Sequence, residues 1–413
     1  MGVEREVHRA VGCAIGESMG CLRVALVIPG IPKISGGPGV SVAAMAGRLV
    51  ANGWEVTVLT SNQGISEGLV PIEKNVELKI FPLSGKWNRR FLRCPELIEW
   101  LYREGSRFDV VDIQGIWSFI CSDMAKACQA LRIPYVITPH GQASKWDVGK
   151  APVRKRIFAS LWLSGAWKGA SGYRFLSEEE RRGCWFPEAG KGVITPNWLE
   201  PAQKPEDHSS TEALRSLELR GDGQTVLFLG RLDPQKGVLE LLHVFEQLWR
   251  RRPETVLLLV GPGRTRYAEQ VRRRVDSMTG SRNIRLLGPL YGVEKQAVLG
   301  AASVFVALSK SEGLPTAVLE ALRASIPVIV TPGANIPEVE EYGAGFVVHG
   351  REDAVTKIET ILQDSGLRSR MAENAKRLFE QRFSPENVFP NLIAFYRAIV
   401  GKSRDQSTRT NIA

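Results

Sequence analysis

One alternation, run through twice, constrains this chain more than any other feature. LRVALVIP (22–29), EVTVLT (55–60), VELKIF (76–81), DVVDIQ (109–114), PYVITPHG (134–141), SGYRFLS (171–177) and GVITPN (192–197) are apolar runs of strand length. TVLFLGR (225–231), ETVLLLVGPG (254–263), NIRLLGPL (283–290), SVFVALS (303–309) and PVIVTP (327–332) restart the pattern. Helical segments fill most of the gaps, and three more are expected between about 351 and 400. Strands apolar along their whole length, joined by helices, require a parallel sheet covered on both faces. A chain of 413 residues also exceeds one ordinary core. The expected fold is therefore α/β, with two doubly wound, Rossmann-like domains facing across a cleft. The polar stretch 200–223 is the expected junction. That places one domain at 21–198 and a second at 199–383. Residues 384–413 are read as a C-terminal helix returning to the first domain, followed by a tail.

Charge and cysteine usage narrow the partners. The net charge of +10 favours anionic ligands or surfaces. Basic and aromatic residues are scattered rather than set out as a stacking platform, which argues against nucleic acid. The six cysteines, at 13, 21, 94, 121, 128 and 184, form no CxxC pair. Cys121 and Cys128 read as packing residues of one helix face, and a reducing compartment fits better than a disulfide framework. No apolar run is long enough to span a bilayer. Charges in MGVEREVHRAVGCAIGESMG argue against a signal peptide, so a cytoplasmic location is expected. Residues 1–20 are read as an extension outside the fold, and a start at Met19 is expected to leave the fold intact. The basic, aromatic segment VRKRIFASLWLSGAWKG (153–169) suits a peripheral membrane contact. Its apolar residues circle most of a helix, however, and a packed core helix is the preferred reading.

In open sheets of this kind ligands bind beyond the carboxyl ends of the strands. After the first strand, Gly36 and Gly37 open onto a helix N-terminus, as an anion cradle or as a flexible turn. This is not a GxGxxG, and no acidic residue follows the second strand to hold a ribose. In FLGRLDPQKG, Arg231 ends a strand and Lys236 stands in or just before the first turn of the next helix. A planar fork beside a point charge suits a diphosphate. Gly261, in VGPG, permits close approach of a base or ribose. His140 ends a strand of the first domain, and a lone histidine is more often structural than catalytic.

SEGLPTAVLEAL (311–322) carries Glu312 and Glu320. Pro315 suits a first helical position, which puts Glu312 in the loop and Glu320 one turn into the helix. Thr316, Glu320 and Arg323 could be a solvated stripe with a Glu320–Arg323 pair. Taken with Arg231 and Lys236 at the same sheet edge, the two carboxylates instead describe a nucleotide-sugar site. Carboxylates accept from vicinal hydroxyls, cations hold the diphosphate, and N–H groups of the Thr316 turn point at an anion.

GRLDPQKG, GPLYG, SEGLPTAVLEALRASIPVIVT and YGAGFVV follow one another within 225–348. In this order they resemble the retaining glycosyltransferases of family four, which have the two-domain GT-B architecture. The resemblance runs from about Leu22 to Val400. It implies that Arg231 and Lys236 grip the donor diphosphate, that Glu320 binds the ribose and that Glu312 faces the sugar. The backbone of Gly313, Leu314, Pro315 and Thr316 would line the sugar and phosphate. Gly36 and Gly37 would approach the diphosphate from the first domain, and His140 would reach the sugar. The implied reaction moves a sugar from a nucleotide-diphosphate donor of UDP or GDP type to a glycan or lipid-linked glycan. Cell-surface polysaccharide synthesis is the implied setting. The chain contains no Asp-x-Asp, so no metal and no other cofactor is expected. Ala324-Ser325-Ile326-Pro327 and Gly333-Ala334 depart from the family pattern, which usually has glycines there.

Two alternatives stand beside this reading. A nucleotide-sugar epimerase of the same fold needs an acid/base pair across the sugar, and the first domain shows no clear acidic partner. A non-catalytic nucleotide-sugar-binding scaffold would be marked by loss of Arg231, Lys236 or a glutamate, and all are present. A Rossmann dehydrogenase is excluded by the missing fingerprint.

Overall fold

The computed structural model describes residues 21–200, 212, 224–263 and 265–410. The extension expected at 1–20 and most of the expected junction at 200–223 lie outside the described residues. The chain divides into two compact units. Met1–Trp198 and Pro385–Ala413 make the first, and Leu199–Ser384 the second.

Unit 1 holds β1 (Arg23–Ile28), β2 (Glu55–Ser61), β3 (Glu77–Phe81), β4 (Val110–Gln114), β5 (Tyr135–Thr138), β6 (Gly172–Phe175) and β7 (Val193–Ile194). They form one parallel sheet in the order β3-β2-β1-β4-β5-β6-β7. The continuous apolar run of β1 follows from its central place, because successive side chains enter opposite faces. Ala25 and Val27 join one core, while Val24, Leu26 and Ile28 join the other.

The helix Pro385–Thr410 seals that second core with Val388, Phe389, Leu392, Tyr396, Ile399 and Val400. Their helical spacing makes one stripe, and a large apolar side chain fully buried contributes roughly 1.5–3 kcal/mol. Tyr396 adds a buried polar contact, its hydroxyl donating to Asp112 Oδ2 at 2.5 Å. Cys121 and Cys128 are buried packing residues of the helix Phe119–Leu131.

Unit 2 holds β8 (Thr225–Leu229), β9 (Val256–Val260), β10 (Ile284–Gly288), β11 (Val304–Ala307), β12 (Val328–Val330) and β13 (Gly345–Val347). The order is β10-β9-β8-β11-β12-β13, again all parallel. β13 has no counterpart among the strands expected from the sequence. At three residues it is too short to show a period, and tertiary pairing with β12 makes it a strand. A side chain at Gly345 would come within 1.8 Å of the Val328 carbonyl oxygen, so the edge closes only around glycine. In each sheet the winding reverses once, at β1/β4 and at β8/β11, and such reversals open a crevice at the carboxyl ends of the strands.

The segment expected as a packed core helix is corrected in part. It runs as Pro152–Phe158, a π-helical stretch Ala159–Leu163, and Ser164–Lys168. Ala159, Leu163, Ala166 and Trp167 are buried, but Val153, Ile157 and Leu161 are 68%, 52% and 63% exposed. The segment covers the core with one face, and apolar residues on the other face have no core left to enter. Among the described residues no helix is long and apolar enough to cross a membrane.

Candidate active site

The β8/β11 reversal is where the two most informative motifs of unit 2 meet. After β8, Asp233 Oδ1 accepts the Gln235 N–H at 2.9 Å and caps the short turn Pro234–Lys236. Gly237 follows with φ +68°, and a Cβ there would lie 2.1 Å from the Leu308 carbonyl oxygen. Only glycine lets this loop press against the end of β11. The approach is fastened twice: the Lys310 N–H donates to Gln235 O at 2.8 Å, and Gln235 Nε2 donates to Ser311 O at 2.5 Å. Lys236 is thereby carried to Glu312, with Nζ 2.6 Å from Oε1 and both side chains mostly buried.

Glu312 is also fixed from β12. Asn335 Nδ2 donates to the Glu312 carbonyl, and Thr331 Oγ1 donates to Ser309 O at 2.5 Å. A Cβ on Gly333 would meet the Lys310 carbonyl at 2.5 Å. The Gly333-Ala334 pair, a departure from the family pattern, therefore keeps glycine where space demands it and buries Ala334.

Glu320 overturns the solvated-stripe reading. It lies on the helix Thr316–Arg323, is only 8% exposed, and accepts a bond from Lys295 Nζ at 3.0 Å. Arg323 donates instead to the Glu200 carbonyl at 2.6 Å. Pro315 occupies the cap position in an extended conformation, so the helix begins one residue later than expected, at Thr316. Leu314 is buried and Gly313 stands beside Glu312. Lys295, on the helix Gly292–Gly300, was not singled out in the sequence. A lysine among polar neighbours in a surface helix carries no local mark, and only the fold brings it to Glu320.

Arg231 is exposed and makes no ion pair among the described residues. Gly261 has a packing reason of its own. A Cβ there would lie 1.9 Å from the Gly230 carbonyl oxygen, and its N–H donates to Gly288 O at 2.7 Å.

Gly36, Gly37 and His140 belong to unit 1. Gly36, at φ +81°, is the cap of the helix Gly37–Ala51, which has no side-chain cap. A Cβ on Gly36 would meet nothing within 4 Å. His140 follows β5 in the left-handed region, at φ +53°. Its Nε2 lies 2.6 Å from Gln114 Oε1, a pairing that puts the ring proton on Nε2 and leaves Nδ1 an acceptor. Burial, with help from the Arg174 charge, pushes its pKa down to about 3, so the ring is neutral. Arg174 is itself wholly buried, and donates to Thr195 O, Pro196 O and Asn197 Oδ1, each at 3.1 Å.

Beside His140 the structure adds a carboxylate that sequence reasoning missed. Glu180 is buried and accepts the N–H groups of Gly141 and Leu176, the latter at 2.7 Å. Burial raises its pKa to about 7, against the lowering effect of those two bonds and of Arg174. Its oxygens are turned to backbone, so it holds the His140–Gly141 turn rather than facing a substrate. The signal was present: Ser177 and Glu180 form an S-x-x-E pattern, with Ser177 Oγ accepting the Glu180 N–H at 3.0 Å.

Comparison with known proteins agrees with this geometry. The family model described as "Glycosyl transferases group 1" matches residues 209–378, and that described as "Glycosyltransferase Family 4" matches 35–182. A trehalose synthase of Thermococcus litoralis is 28% identical over 47% of this chain and 50% of its own length. The chain thus spans about half the length of such curated relatives. An uncharacterized glycosyltransferase of Methanocaldococcus jannaschii is 26% identical over 89% of this chain and 95% of its own. The crystal structure of Anabaena HepE, in complex with UDP and glucose, superposes with a TM-score of 0.69 at 16% identity, covering 94% of this chain and 100% of that one. It shows a shared GT-B fold. With one glycosyltransferase model matching in each unit, the chain belongs to the group 1 glycosyltransferases of family four.

Proposed function

We propose that this chain transfers a sugar from a UDP- or GDP-type donor to a glycan or lipid-linked glycan, with retention of anomeric configuration. The observation that carries the reading is the pair of lysine–glutamate contacts, Lys236–Glu312 and Lys295–Glu320, gathered at the β8/β11 reversal. Each glutamate is held by one oxygen, and its second oxygen remains to accept from a hydroxyl. Glu320 takes the ribose and Glu312 the donor sugar. Lys236 keeps two further N–H groups for the diphosphate, and Arg231 adds an uncommitted fork. That HepE, which shares the fold, was solved with UDP and glucose supports the donor class.

The chemistry follows from charge placement. The bond between the anomeric carbon and the diphosphate oxygen breaks as Arg231 and Lys236 stabilise the departing negative charge. The acceptor oxygen enters on the face the leaving group vacates, and the leaving phosphate takes its proton, so no protein base is required. His140 is assigned to the sugar by the family resemblance alone, and its neutral ring would bring a hydrogen-bonding atom rather than a cation. Arginine and lysine carry the neutralisation that a metal would otherwise supply, which supports a metal-free reaction. A role in cell-surface polysaccharide synthesis belongs to the same proposal. NMR of the first product from an α-linked donor tests it: an α linkage is expected, and a β linkage would refute retention.

A further inference from the structure

We infer that one face of unit 1, built by the helix Gly85–Phe91 and the segment 152–168, docks on an anionic lipid bilayer. Val153, Ile157 and Leu161 recur every four residues, so they form a single stripe, and all three are more than half exposed. Trp87, on the other helix, is 73% exposed. Aromatic contacts join the two exposures. Trp87 stacks on Phe91 at 5.4 Å, Phe91 meets Phe119 edge-on at 6.1 Å, and Phe119 meets Phe158 and Trp162 at 5.2 and 5.4 Å. The result is a continuous apolar and aromatic surface rather than scattered side chains.

The charges around it are of one sign. Neither 85–93 nor 150–168 contains an aspartate or glutamate. Arg93 and Lys155 are matched by Asp123 and Asp147 from neighbouring segments. Lys86, Arg90, Arg154, Arg156 and Lys168 are exposed and make no ion pair among the described residues. A protein interface is depleted of charge at its centre, whereas here arginines interleave with the apolar stripe at 154 and 156. That interleaving suits a headgroup layer. Apolar side chains and tryptophan enter the acyl boundary while the long basic side chains reach lipid phosphates. With no membrane-crossing helix among the described residues, the contact is peripheral. The inference does not depend on the sugar-transfer reading, because lipid binding is measured without a donor.

The test is co-sedimentation of the full chain with phosphatidylcholine vesicles, with and without phosphatidylglycerol, at low and high salt. Binding is expected to the anionic vesicles, and to fall as salt rises. Combined Arg154→Ala and Arg156→Ala should weaken it about 30-fold, since each cation near such a surface adds about fivefold. Combined Val153→Ser, Ile157→Ser and Leu161→Ser should abolish it while the melting temperature stays unchanged. Absence of sedimentation by the wild type, or equal binding by the triple variant, overturns the inference. So does a wild-type dimer that the triple variant dissolves without any vesicle binding, which would assign the face to a second copy of this chain.

Discussion

Lys236 and Glu312 stand 76 positions apart in the chain, yet their side chains meet at 2.6 Å. The contact exists because Gly237 lets the β8 loop lie against Leu308 at the end of β11. Both groups are mostly withdrawn from water, so neither charge is dispensable to the other.

Removing one member of such a pair should be severe. Lys236→Ala is expected to lower kcat/KM by about 30- to 5000-fold, from roughly 2–5 kcal/mol of lost charge stabilisation. Arg231→Ala is expected to lower it through loss of the proposed contact to the diphosphate. Lys236→Ala should also lower the melting temperature, because it strands Glu312, whereas exposed Arg231 should leave stability unchanged. Wild-type turnover in either variant would remove the diphosphate assignment.

Lys295 provides a separate test of the ribose assignment. Its bond to the buried Glu320 orients that carboxylate. Lys295→Ala should weaken UDP or GDP binding by roughly 10- to 150-fold, the worth of a hydrogen bond to a charged group. Calorimetric titration with the free nucleotides reads this directly. Unchanged affinity would show that Glu320 needs no such support.

The glutamate that holds the His140–Gly141 turn predicts a pH dependence. Glu180 has a folded pKa of about 7 against an ordinary 4.5, so between these values the native state holds a proton that the unfolded state has lost. Its contribution to stability is therefore fully present below 4.5 and fades as pH rises through about 7, by something on the order of 3 kcal/mol. His140 works in the opposite sense, losing stability as pH falls from 6.5 toward 3. Denaturation of Glu180→Gln across pH should show a flatter stability profile between pH 4.5 and about 7. A slope equal to wild type there would clear Glu180 of any part in it.

Metal removal gives a further expectation. Transfer should persist in EDTA and gain little from magnesium or manganese if Arg231 and Lys236 supply the positive charge as proposed. Activity abolished by chelation and restored by either ion would contradict the proposal.

Most of the architecture was legible as pattern. β1, β4, β8 and β11 are central strands, and centrality forces apolar residues on both faces, which a reader of the sequence sees as an unbroken run. β13 was not legible, because three residues around Gly345 hold no period. The helix around Val153, Ile157 and Leu161 was legible as apolar but not as exposed. Hydrophobicity records what a side chain prefers, and the number of faces already occupied decides whether it is granted.

The sequence by itself determined the doubly wound class and the strand ends at which the candidates Arg231, Lys236, Glu312 and Glu320 stand. Local chemistry sufficed for those, since strand periodicity, glycine turns and the Pro315 boundary are written within a few residues. Tertiary structure alone decided the partners. Arg323 lies three residues from Glu320, yet Lys295 holds that carboxylate, 25 positions away. Glu180 looked like one acid among several in SEEERR until β5 and β6 brought Gly141 and Leu176 to it. Charges acquire their function from what surrounds them, and burial and distance are properties of the folded chain.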